Sequence, residues 1–256
     1  MRRIAVIMAI IAVLCTTTPV AAWGSNTHLE IDRSISDSEL FQQGSIFPDM
    51  ALGLHYAERH LWEAPPDNWQ EIHTDFHSSE FADSLWVSCK EHDVIEFAEG
   101  WVCHTLGSDP IESAYSRDKI NQGAPMSADY PVDWYYHGHD LDTHVSQDVR
   151  LALQQAIDQT DLGWTLSDDA WDDVRYVYQV YLDMGSSWYI ANGYAGVAEE
   201  WYSDNAEYLA MSVAQSVEAI SEYHSRFDEP ESEPAPRGRR GSSTRGGGVG
   251  PRAARK

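Results

Sequence analysis

Apolar residues recur along most of this chain at the spacing of helices. From Asp93 to Leu106, the residues Val94, Phe97, Trp101 and His104 or Thr105 fall on one stripe, the three-and-four spacing of a buried amphipathic face. Asp142 to Ala156 sets Val145, Val149, Ala152 and Ala156 on one side. Ser167 can cap a helix through Trp171, Val174, Val177, Tyr178 and Tyr181 to about Met184, with Gly185 as its stop. Ser203 can cap another through Tyr208, Met211, Val213, Val217 and Ile220, and Thr27 to Ile35 predicts a short one. No stretch alternates apolar and polar residues as a half-buried strand does. The pattern predicts an all-α, multi-helix bundle.

Between these helices run long segments bearing Pro and aromatic residues: Phe47 to Asn68, Pro110 to Pro131 and Ser186 to Gly196. Loops of that length in a compact domain commonly carry function. At the front, Arg2-Arg3, the apolar run Ile4 to Leu14 and Val20-Ala21-Ala22 read as a secretory signal over residues 1–22. The apolar run is too short for a bilayer span, although an uncleaved anchor is the alternative. A single domain over 23–228 is expected, then a Pro/Glu run and an Arg/Gly/Ser tail over 229–256 that cannot bury a core. The expected product is a soluble exported protein, secreted or periplasmic.

Charge narrows the list of partners. The formal net charge is −24. Seven of the 17 Lys and Arg lie from Arg237 onward and two more are Arg2 and Arg3, which leaves eight to face 41 acids. Such a surface repels phosphate backbones, so nucleic acid is not an expected partner. Adaptation to high salt is the bland account of the same charge. Once the leader is gone, Cys89 and Cys103 are the remaining cysteines. They read equally as a disulfide or as two buried thiols.

Ten of the 11 histidines fall between His28 and His144. Cleavage after Ala22 would leave Trp23 as the first residue, with an α-amine and carbonyl able to chelate a metal and His28 within reach as a further ligand. His104 ends an apolar helical face, with Asp109 five residues on. His144 and Asp148 are four apart on a predicted helix and so share a face. They read equally as a ligand pair or a surface ion pair. Asp49 follows Phe47-Pro48, and His77 precedes a helical turn; His55, His60 and His73 are its rivals. Together these residues point to a polynuclear metal site.

The stretches Trp23 to Ile31, Phe41-Gln42-Gln43-Gly44-Ser45-Ile46-Phe47-Pro48-Asp49, His77 to Phe81 and Phe97-Ala98-Glu99-Gly100-Trp101-Val102-Cys103-His104 carry a family likeness. The chain resembles the zinc-dependent phospholipase C family, and within it is similar to the catalytic domain of glycosylphosphatidylinositol-specific phospholipase D. The resemblance implies an all-α domain holding two or three Zn2+ ions. Trp23 and His28 would hold one, and Asp49, His77 and His104 a second, with Asp109 bridging them. His144 and Asp148 would serve a third, where the family has a His-x-x-x-Glu pair. Asp49 would also be the general base.

The chain departs from the family at one telling point. Where the family has His-x-x-x-Asp on its central helix, this chain has Ser108, and Asp109 comes one residue late. A local distortion near Gly107 would restore the geometry; the alternative is that the bridge is lost. The next family ligand is His, and near its place stand Glu112, which could ligate zinc, and Ser113; His137 and His139 could stand in for His144. The expected activity is hydrolysis of a phospholipid or other phosphodiester, with transient contact with a membrane surface and no obligate protein partner. A catalytically degenerate metal-stabilised binding domain is the alternative. A single-strand nuclease is a further one, but its Gly-Gly-Asn and Asn-Leu-His signatures are missing.

Overall fold

A computed structural model describes residues 25–50, 69–121, 144–160 and 198–228. These residues are mostly helical, and no strand occurs among them. In chain order they form α1 (Ser25–Arg33), α2 (Glu39–Ile46), a 3-10 turn (Pro48–Met50), α3 (Trp69–Phe76), α4 (Ser79–Glu91), α5 (Ile95–Val102), a π-helical segment (Cys103–Ser108), α6 (Asp109–Asn121), α7 (Gln147–Gln159) and α8 (Ala198–Asp228). The all-α expectation holds for them. The leader, the tail, the helix expected after Ser167 and the segment Ser186 to Gly196 lie outside the described residues. No helix among the described residues is long and apolar enough to cross a membrane.

Side-chain caps fix several of the starts. Ser38, Ser78 and Ser146 each accept the backbone N–H three residues on, at the heads of α2, α4 and α7. The Ser146 cap corrects one expectation: α7 begins at Gln147, so His144 precedes the helix instead of sharing a face of it with Asp148. Ser203 is not a cap either, because α8 already runs from Ala198. The third correction is Pro110 to Pro131, expected as a loop, whose first part is α6.

The core gathers around Trp101. Its ring is fully buried among Phe47, Phe76, Phe81 and Phe97, and its indole N–H donates to Phe76 O at 3.0 Å. Truncating such a ring to Ala costs about 3–5 kcal/mol. α2 and α5 touch backbone to backbone: a Cβ on Gly44 would lie 2.0 Å from Phe97 O, and one on Gly100 would lie 1.9 Å from Phe41 O. This closeness brings the end of α2, and Asp49 just beyond it, against the helix that carries His104. Cys89 and Cys103 are both buried and free, so the two-thiol alternative holds over the disulfide.

Candidate metal centre

α5 continues into a segment whose hydrogen bonds skip one residue further than usual. The Asp109 N–H bonds to His104 O, five residues back. This widened turn has two causes, one local and one distant in sequence. Pro110 has no N–H and clashes with the carbonyl four residues behind it in a regular helix, and a wide turn just before it absorbs that conflict. On the outer side, α8 presses directly on Gly107, where a Cβ would lie 2.5 Å from Ser216 Cα. Ser216 Oγ donates to Cys103 O at 3.2 Å and holds the two elements together. In a π turn, residues five apart share a face. His104 and Asp109 therefore converge, with His77, on atoms all within 4.8 Å of one another. The distortion named near Gly107 is present, and it brings Asp109 onto the same face as His104.

Three elements deliver the other groups. Asp49 sits in the 3-10 turn behind the buried Phe47. His73 lies in the last turn of α3 and His77 just past its end, with rings stacked at 4.0 Å. His28 comes from α1, fully buried, its ring stacked on His104 at 4.1 Å. Asp49 Oδ1 stands 3.6 Å from His73 Nε2 and 3.7 Å from both His77 Nε2 and His104 Nε2. Those last two nitrogens are 3.0 Å apart. The triangle they form with Asp49 Oδ1 has a centre about 2.0 Å from each corner, the length of a bond from a divalent transition metal to imidazole N or carboxylate O.

The protonation chemistry fits a cation there. His77 Nδ1–H donates to His73 O at 2.8 Å, which leaves the His77 Nε2 lone pair facing inward. Two facing imidazole nitrogens 3.0 Å apart need either an N–H of one ring or a metal ion between them. Burial, and then the neighbouring His28, push His104 well below the usual histidine range. Burial lowers His28 to about 4, against the pull of Asp49. Burial favours the neutral form of Asp49, yet His104, His73, His77 and His28 together hold it well below the usual carboxylate range. His77 behaves the other way: burial works against its charge, but Asp49 and then Asp109 raise it. Burial also raises Asp109, in spite of His77. Among the described residues, buried Asp49 Oδ2, His28 Nε2 and His104 Nδ1 lack hydrogen-bond partners, which is costly unless something else satisfies them.

No family model, curated protein or solved structure matches this chain. The groups His28/Asp49/His104, Asp49/His73/His77 and His77/His104/Asp109 could each hold a metal ion.

Of the residues singled out from the sequence, His28, Asp49, His77, His104 and Asp109 come together. His73, a rival of His77, stands beside it. Trp23, His55, His60, His137 and His139 lie outside the described residues. His144 and Asp148 are exposed and belong to none of these groups; His144 O accepts a hydrogen bond from Gln43 Nε2 at 3.4 Å. Behind the centre, the Cys103 thiol donates to Asp32 Oδ1 at 3.4 Å, and burial raises both groups well above their usual ranges. An uncharged buried thiol is inert, so Cys103 is structural.

Proposed function

We propose that this chain is a zinc-dependent phosphodiester hydrolase of the phospholipase C type. The observation that carries this is the convergence of Asp49 Oδ1, His77 Nε2 and His104 Nε2 at 3.0–3.7 Å inside the protein. The motif likeness from Phe41 to Asp49 and from Phe97 to His104 supports it. A zinc ion held by Asp49, His77 and His104, with Asp109 beside them, would polarise a phosphoryl oxygen and lower the pKa of water.

The chain's own groups supply the rest. Asp49 is ionised at neutral pH, and we assign its Oδ2 as acceptor of the proton that an attacking water gives up. The His73 carbonyl fixes the tautomer and direction of His77. Phe47, Phe76 and Trp101, each one to three residues from a ligand, keep the inner side dry and so strengthen every charge interaction there. The acidic body favours zwitterionic over anionic substrates, with nucleic acid the least favoured.

The test is zinc content, followed by hydrolysis of a chromogenic phosphocholine ester, with Asp49→Asn as control. The zinc-loaded chain should release product, and both chelation and Asp49→Asn should abolish release. A zinc-loaded chain that releases none is a binding domain, and the enzymatic assignment falls.

A further inference from the structure

His28 faces a carboxylate that neither the motifs nor the first ion uses. Glu112 is completely buried, and its Oε2 lies 3.6 Å from His28 Nε2. On the other side of the ring, Ser108 Oγ lies 3.2 Å from His28 Nδ1 and donates to His104 O at 3.2 Å. A serine hydroxyl has one hydrogen, and this one goes back to the helix carbonyl four residues behind. Toward His28, Ser108 therefore accepts, and His28 Nδ1 carries the ring proton. The Nε2 lone pair then points to the Glu112 side, acceptor against acceptor, away from water. A separation of 3.6 Å is too long for a hydrogen bond. It is shorter than two metal–ligand bonds of about 2.0–2.1 Å.

The widened turn sets this approach too. Glu112 follows Asp109 by three residues on α6, so both carboxylates project from one face. In a regular helix from Cys103 to Ser108, everything beyond would be turned by about 100°, and neither carboxylate would reach the histidines.

We propose that His28 Nε2 and the Glu112 carboxylate bind a second divalent cation beside the first, with Glu112 as a ligand specific to this chain. This extends the metal-dependent function above, and the test separates the two. Metal content and cobalt(II) titration are measured on the full chain, on Glu112→Gln and on His77→Ala. The wild type should take two equivalents. Glu112→Gln should keep one, with an unchanged helical circular dichroism spectrum, and His77→Ala should lose the ion that Glu112→Gln retains. If Glu112→Gln binds as many ions as the wild type, the second site is refuted. It is refuted equally by a wild type holding one ion that His77→Ala removes, and the proposed function then survives. A wild type that binds no ion removes both. Should Glu112→Gln fail to fold, anomalous scattering from wild-type crystals at the zinc edge decides. A peak bonded to both His28 Nε2 and Glu112 supports the site, and a peak on Asp49, His77 and His104 alone overturns it.

Discussion

Two clusters of histidine and carboxylate hang from the same helix and behave in opposite ways. Toward the end of α8, His224 Nδ1 donates to Asp228 and Nε2 donates to Glu99 of α5, both at 2.6 Å. Lys90 of α4 reaches Asp228 at 2.5 Å and Phe227 O at 3.0 Å. The cluster is partly open to solvent, and the two carboxylates raise His224 above its ordinary range. Five residues along from Glu99, His104 sits in the buried cluster, where carboxylate and ring nitrogens stand 3.6–3.7 Å apart and His28 and His104 are depressed. At 2.6 Å the proton is the bridge. At 3.6 Å in a dry interior, a shared proton is too small and the gap has the width of a metal ion. Spacing and burial, rather than residue type, separate a surface latch from a candidate metal centre.

The hardest blow to this contrast is Asp49→Asn, which takes the central charge from the buried cluster. Hydrolysis of the phosphocholine ester should fall by about 10²–10⁴-fold, together with zinc content, while the helical circular dichroism signal stays. Retained zinc and full activity would mean that Asp49 is not central.

Next is Gly107→Ala. The added methyl group runs into the main chain of α8 at Ser216, which cannot swing aside as a side chain can, so α8 or the wide turn must move. A cost of about 1–3 kcal/mol is expected, read as a lower melting temperature, with weaker zinc binding because Asp109 shifts. Ser216→Gly in the same chain should restore only part of the loss, since the clash with the backbone persists. An unchanged melting temperature would show that α8 yields freely there.

The pH response should then split between the clusters. His28 falls from 6.5 to about 4 on folding, so the unfolded chain binds the proton first. The metal-free protein should therefore lose stability as pH falls from about 6.5 toward 4. His224 is raised, so its contribution is fully present below its unfolded value of about 6.5 and disappears as pH climbs through the raised value. Asp228 is held below its usual range by His224 and then by Lys90, so its share fades only in stronger acid. Urea titrations of the metal-free chain from pH 4 to 9 should show both slopes.

The smallest effect is His224→Ala. A solvent-screened pair of this kind contributes about 0.2–1 kcal/mol. The variant should melt slightly lower near pH 6, match the wild type well above the raised His224 value, and leave zinc content untouched.

Much of this was legible in the chain and some was not, for physical reasons. The stripes of α1, α5, α7 and α8 carry clean apolar spacing, and they appear as helices with shifted ends. α6 escaped because its inward face is built from Asp109, Glu112 and Tyr115: carboxylates stand where periodicity expects Leu or Val, and Pro110 reads as a breaker. The same four-residue spacing that drew notice to His144 and Asp148 also joins His73 to His77, and there the structure brings the pair into the buried cluster. His144 and Asp148 failed to share a face because Ser146 starts the helix between them. Asp109 was legible as out of step, but its correction depends on α8 closing on Gly107, an approach from over a hundred residues away that no local pattern carries.

The wide turn between Val102 and Asp109 also predicts where the chain tolerates shortening. Removing a single residue from within it would let the helix wind regularly with both flanks in register, leaving the clash of Pro110 with the carbonyl four residues behind as the remaining cost. The same deletion elsewhere along α5 or α6 would rotate every later side chain off the face it serves. A scan of one-residue deletions along that helix should therefore find one narrow window of survivors, set directly over the face that carries the candidate metal ligands.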